Sequence, residues 1–144
     1  MGKVVAQAIM SLDGYVAKQD NTIGPLFDWL QNGEVAIPTP AGDFTVHLTP
    51  PSSEHWRRWV SSLGALVCGR TLFEVAHVTG GTIARQCLDL GLLDEVAVDL
   101  VPVVMGAGNR PFFGELSSED VLLGNPTVCV QGDRVTHLVF PVLR

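Results

Sequence analysis

The chain has 144 residues, 47% of them hydrophobic and 17% charged, with a formal net charge of -6. That length suits one domain with one core, and the apolar content excludes a disordered protein. The acidic balance excludes a nucleic-acid binder, which needs a basic face to meet phosphates, yet leaves room for a local basic pocket for a phosphorylated small molecule.

Lys3 to Met10, Lys-Val-Val-Ala-Gln-Ala-Ile-Met, reads as a buried first strand. Ser11-Leu12-Asp13-Gly14-Tyr15-Val16-Ala17 follows as a turn, with Gly14 supplying backbone freedom. Leu26 to Leu30 reads as a short helix stopped by Asn32-Gly33. Residues 34–51 carry prolines at 38, 40, 50 and 51 and read as a loop with short extended pieces. Ser52 or Ser53 can cap the next helix, in which Trp56, Trp59, Val60 and Leu63 recur at helical spacing before Gly64 ends it. The two tryptophans fit a packing stripe better than a stacking platform. Ala65-Leu66-Val67-Cys68 is a continuous apolar run, as a strand buried on both faces would be. Thr71 to Ala76 starts another helix.

From Gly80-Gly81 a helix runs to Leu90, with Gly91 as its C′ residue and Leu92 folding back over Cys87 in a Schellman-type stop. Val96 to Val101 is a strand, and Pro102 to Gly108 a glycine-rich loop. Thr127 to Gln131 and Val135 to Val142 form a hairpin around a Gly132-Asp133 turn. Strands alternating with helices imply an α/β domain over residues 1–144, with a mostly parallel sheet, helices on both faces and an antiparallel C-terminal hairpin.

Three junctions can carry chemistry. Gly80-Gly81-Thr82 opens a helix, whose free N–H groups and dipole can meet a phosphate; glycines there also serve geometry alone. Gly69-Arg70-Thr71 is a second strand-to-helix junction with a cation added, which can grip a phosphate or form a surface salt bridge. The turn Ser11-Leu12-Asp13-Gly14 ends the first strand. Ligands on open α/β sheets bind outside the carboxyl ends of strands, so the three turns converge on one rim if their strands are parallel. Asp13 is the carboxylate placed there for proton transfer or for hydrogen-bonding a nitrogen heterocycle, with an Asx turn as its structural alternative. His47, His55, His77 and His137 show no metal-ligand spacing, so no metal is expected. Cys68, Cys87 and Cys129 are odd in number and widely spaced, which points to buried, reduced thiols. With no membrane-spanning run and no signal-peptide pattern, the expectation is a soluble cytoplasmic protein.

Several blocks together resemble the dihydrofolate reductase-like family, and in it the relatives of the C-terminal reductase domain of the riboflavin-biosynthesis protein RibD. They are Ser11 to Ala17, Gly64 to Thr71, Thr79 to Gln86, Gly91 to Glu95 and Val101 to Gly108, in the family's order and over most of the chain. The resemblance implies a reductase taking hydride from NADPH, with a pteridine or phosphoribosylamino-pyrimidine substrate. It implies that the Ser11 to Ala17 loop covers the nicotinamide, so that Asp13 faces substrate and Ala17 the cofactor. It also implies that Gly69, Arg70, Thr71, Gly80, Gly81 and Thr82 hold the phosphates.

One departure lies between Glu74 and Val78, where members of the family carry a further loop, two strands and a helix. Their loss would leave the strand at 65–68 as a sheet edge, which invites pairing with a second copy; a homodimer is therefore expected. It would also remove much of the wall around the adenosine end of NADPH. A parallel crossover normally takes a dozen or more residues, so the helix at 71–77 is expected to be shortened or unwound. Two other classes stay open: a non-catalytic domain that dimerises through its edge, and a weak nucleotide-binding module without turnover.

Overall fold

The computed structural model describes residues 2–39, 42, 44–68, 81–117 and 120–144, with Gly81 and Thr82 by backbone alone. The central sheet has four strands in the order β1-β5-β8-β7: β1 is Val5–Ser11, β5 Glu95–Val101, β7 Val128–Gln131 and β8 Thr136–Pro141. β1 and β5 run parallel, whereas β5 with β8 and β8 with β7 are antiparallel. Two small ribbons flank it. β2 (Tyr15–Ala17) pairs with β6 (Arg110–Pro111), and β3 (Val35–Pro38) pairs with β4 (Thr45–Leu48). A 3-10 helix covers Gly24–Gln31, α1 covers Pro50–Ser62 and α2 covers Gly81–Asp89.

Strand alternation sends side chains to the two faces of the sheet. Ala6, Ala8, Val96 and Val98 pack on one face with Leu88 of α2, beside Leu93 and Phe112. On the other, Val101 and Val135 pack with Leu26, Trp29 and Leu30 of the 3-10 helix and Val46 and Leu48 of β4. The α/β fold with a parallel β1/β5 pair and a C-terminal hairpin is the one the sequence pattern implies. β5 is central and buried on both faces, which is why its run is almost wholly apolar.

Two stop signals work by different means. α2 ends as the glycine pattern predicts: Gly91 has φ +64°, its N–H donates to Leu88 O at 3.0 Å, and the Leu92 N–H donates to Cys87 O at 2.8 Å. Those are the two bonds of a Schellman motif. The β7–β8 turn differs from expectation. Gly132 N–H donates to Val135 O at 2.9 Å, and the left-handed position is Arg134, at φ +57°. Gly132 is required by space: a Cβ there would lie 2.2 Å from Ser52 Oγ.

Four expectations are corrected. The apolar run Ala65 to Cys68 is not a strand, and Leu66 and Val67 are 77% and 79% exposed. A strand needs a backbone partner, and no described residue pairs with this run; short apolar runs are ambiguous by pattern alone. Helix α1 starts at Pro50, with Thr49 as N-cap and no side-chain cap bond, so neither Ser52 nor Ser53 caps it. Prolines at the first two positions lack N–H groups that would otherwise need partners, which makes a cap dispensable. Val60 and Leu63 are about half exposed rather than buried. The cysteines are free but not buried: Cys68 and Cys87 are half-buried, and Cys129 is exposed on edge strand β7. The expectations for Gly69, Arg70, Thr71, Gly80 and the helix at 71–77 lie outside the described residues.

Candidate functional site

The parallel register of β1 and β5 sets Ser11 beside Val101, so both strands deliver their following loops to one end of the sheet. The chain turns at once after Ser11: Gly14 N–H donates to Ser11 O at 3.0 Å, and Gly14 takes φ +89°. After Val101 the chain follows residues 102–108 across the same end. Leu12 N–H donates to Val103 O at 2.9 Å and starts to join the two loops.

Asp13 completes the join. Its Oδ1 accepts the Ser11 hydroxyl at 2.7 Å, and its Oδ2 accepts the Gly106 N–H at 2.8 Å. The Met105 N–H is shared between both oxygens at 3.1 and 3.2 Å. Ser11 Oγ accepts the Tyr15 N–H at 2.9 Å, so the hydroxyl is oriented too. The Ser11 hydroxyl, followed by the Met105 and Gly106 amides, lowers the Asp13 pKa to about 2. At neutral pH this carboxylate is an acceptor and not a proton donor. Besides Ser11 in its own turn, its partners Met105 and Gly106 are 92 and 93 residues away, which makes Asp13 a clasp between two loops.

The other expected site residues are placed unevenly. Ala17 is fully buried in β2, which pairs with Arg110 of β6. Gly81 opens α2, which packs Leu88 on the β1/β5 face and ends shortly before β5 begins. Arg85, in the second turn of α2, has a buried Nε with no hydrogen-bond partner among the described residues. An unpaired guanidinium N–H behind a helix N-terminus suits an anion such as a phosphate. Gly69, Arg70, Thr71 and Gly80 lie outside the described residues, as does the side chain of Thr82. The described part of the rim therefore unites the turn at 11–14 with the loop at 102–108.

A second polar constellation was not foreseen. Asp99 of β5 lies directly opposite His137 of β8. His137 Nδ1 meets Asp99 Oδ1 at 2.6 Å, and His137 Nε2 meets Ser52 Oγ at 2.9 Å. A carboxylate accepts, so Nδ1 carries the proton it donates to Asp99, and Nε2 shares a hydrogen bond with the Ser52 hydroxyl. Gln7 Nε2 donates to Asp99 Oδ2 at 2.9 Å. Ser52, Asp99 and His137 are all buried. The connectivity is that of a serine hydrolase triad, but Ser52 is walled in by Gly132 and leaves no space for an acyl group. Nor does it suit a metal. Ligand atoms of His55, Asp99 and His137 lie within 4.8 Å of one another, but both His137 nitrogens are already engaged. The two imidazoles are moreover stacked, 4.4 Å between centroids and 18° apart, instead of converging edge-on as ligands do. The signal in the sequence was Asp99 itself: a carboxylate inside the apolar run Val96 to Val101 needs a partner.

Three solved structures have a similar fold. One, assigned to riboflavin biosynthesis in Shewanella sp. PV-4, aligns with a TM-score of 0.56 at 18% identity, over 99% of this chain and 100% of that one. RibD of Acinetobacter baumannii aligns with a TM-score of 0.51 at 14% identity, over 98% of this chain and 58% of that one. A pyrimidine reductase-like protein of Corynebacterium diphtheriae aligns at 0.50 and 15% identity, over 97% and 91%. The sequence matches no family profile and no curated protein. Among the described residues no helix is long and apolar enough to cross a membrane. The chain thus has the α/β fold seen in RibD and in the pyrimidine reductase-like protein.

Proposed function

We propose that this chain is an NADPH-dependent reductase of a nitrogen heterocycle, of the pteridine or phosphoribosylamino-pyrimidine class. The observation that carries the reading is the Asp13 clasp, which orders two loops at the carboxyl ends of the parallel strands β1 and β5. That end is where open α/β sheets take their ligands. The similar folds of RibD and of the pyrimidine reductase-like protein support the same class. The described residues fit the cofactor in part: the N-terminal end of α2 and the unpaired Arg85 Nε offer donors for its phosphates. Arg70, Thr71 and the Gly80-Gly81-Thr82 turn are proposed to complete that grip. NADPH supplies the hydride when bound; the chain's own work is to align two rings and exclude water. Asp13 does this indirectly, as a positioning residue that holds the turn from Ser11 to Ala17 against residues 102–108.

The test is a titration of NADPH followed by thermal stability, since a ligand that binds only the folded state raises it. A saturable rise is expected, with consumption of NADPH when a pteridine or aminopyrimidine is added. Arg85→Ala is expected to weaken NADPH binding by about tenfold while keeping the fold, the size of one lost charge-assisted hydrogen bond. No stabilisation at millimolar NADPH would sink the proposal. Binding without turnover on any heterocycle would leave the weak nucleotide-binding module as the better reading.

A further inference from the structure

Between α1 and the sheet lies a cavity of about 240 Å³, walled by Trp29, His55 and Trp59 with Gln7, Asp99 and His137 at its polar side. Gln7 precedes Ser11 by four residues of β1, about 13 Å of strand, so the cavity is separate from the rim. One wall is a ladder of rings. Trp59 stacks on His55 at 6.5 Å and 20°, and His55 stacks on His137 at 4.4 Å and 18°. Trp29 meets His137 edge-on at 5.3 Å. Aromatic walls with a few polar groups at one side are the usual build of a small-molecule site. The volume falls below the roughly 300–1,000 Å³ of drug-sized sites, which leaves room for one or two fused rings.

The polar groups select the ligand further. The Trp29 indole N–H is buried with no partner among the described residues, so it wants an acceptor. Asp99 already accepts from His137 and Gln7, but each of its oxygens keeps a second lone pair for a donor. The ionisable groups lining the cavity are Asp99, His55 and His137. Burial, and then the neighbouring His137, hold the His55 pKa below its ordinary 6.5, with Asp99 opposing and Arg58 adding to the effect. His55 is therefore uncharged at neutral pH and offers a ring face. A ligand group facing the Asp99 oxygens must bring a donor, which a carboxylate or an ionised phosphate lacks. We propose that this cavity is a second ligand site, taking a one- or two-ring planar nitrogen heterocycle, uncharged or cationic. The ligand donates an N–H to Asp99, accepts from the Trp29 indole and stacks on the Trp59–His55 ladder.

The experiment is a titration with 2-aminobenzimidazole, a flat two-ring probe with both donors and acceptors, followed by tryptophan fluorescence and thermal stability. Benzoate serves as the flat anionic counterpart. Saturable quenching and a stability rise are expected with 2-aminobenzimidazole, and neither with benzoate. Trp29→Phe keeps a ring but removes the N–H, and is expected to weaken binding about fivefold to tenfold. Trp59→Ala, on the half-buried side of the cavity, is expected to weaken it similarly and covers the case in which Trp29→Phe does not fold. The proposal is overturned if wild-type protein shows no saturable quenching at millimolar probe. Equal binding of benzoate, or unchanged binding by folded Trp29→Phe and Trp59→Ala, overturns it too. Arg85→Ala is expected to leave probe binding unchanged, so failure of the NADPH reading and failure of this one are told apart.

Discussion

Asp13 is exposed yet accepts from three donors, whereas Asp99 is buried and accepts from two. The first holds the turn at 11–14 against residues 102–108, and the second ties β5 to β1 through Gln7 and to β8 through His137. Asp13 and His55 each leave a titration signature. The folded Asp13 pKa, about 2, lies below the ordinary 3.8, so its stabilising effect is complete above pH 3.8 and is lost as pH falls through 2. Amide exchange at Met105 and Gly106 is expected to accelerate over that window, and Asp13→Asn to show the faster exchange already at neutral pH. Unchanged protection in Asp13→Asn would mean that the clasp does not order the loop. His55 is a base with a lowered pKa, so the unfolded chain takes up its proton first as pH falls below 6.5. The melting temperature of wild-type protein is therefore expected to decline more steeply below pH 6.5 than that of His55→Gln; parallel curves would refute this. Asp13 was legible in the sequence because it sits in a turn directly after an apolar strand. Its partners were not, since Met105 and Gly106 reach it only when two parallel strands end side by side.

At the scale of elements, glycines separate conformational from steric demand. Gly91 takes φ +64° and has nothing within 4 Å of a Cβ placed there. Gly91→Ala is expected to cost about 1–2 kcal/mol, the price of a left-handed alanine. Gly132 needs no left-handed backbone, but an added Cβ would strike Ser52 Oγ and lie 2.8 Å from Val135 Cγ1. Gly132→Ala is expected to cost about 1–3 kcal/mol through overpacking, and Ser52→Ala in the same chain to recover part of that. Chemical denaturation of the two single variants and the double variant measures both; additive losses would show that Gly132 and Ser52 do not press on each other. The Schellman stop at Gly91 was readable because it depends on neighbours in sequence. The demand at Gly132 was not, because Ser52 lies eighty residues earlier and meets it only after β7–β8 docks on α1. For the same reason Ala65 to Cys68 misled: its composition suits a strand, but strand formation depends on a partner.

For the whole molecule, that run is the exposed apolar feature that stands out, together with Val60 and Leu63 at the end of α1. Exposed apolar residues grouped in this way are proposed as a contact surface for a second copy. Self-association through it is the expected outcome. Wild-type protein is predicted to elute as a dimer in light-scattering chromatography, and the double variant Leu66→Lys, Val67→Lys as a monomer of unchanged secondary structure. A wild-type monomer at high micromolar concentration would remove the dimer from consideration. The same measurement with NADPH present separates a dimerising reductase from a dimerising domain that binds no cofactor.

By itself, the order of apolar runs, helical spacings and turn residues determined the α/β class, the C-terminal hairpin, the α2 stop and the strand-end turn carrying Asp13. These follow from local periodicity and backbone chemistry, which act over a few residues. Only the tertiary structure decided that Asp13 clasps residues 102–108, that Asp99, His137 and Ser52 form one buried network, and that 65–68 lies outside the sheet. Each of those depends on which segments the register of β1, β5 and β8 brings into contact, and that register is a property of the assembled sheet.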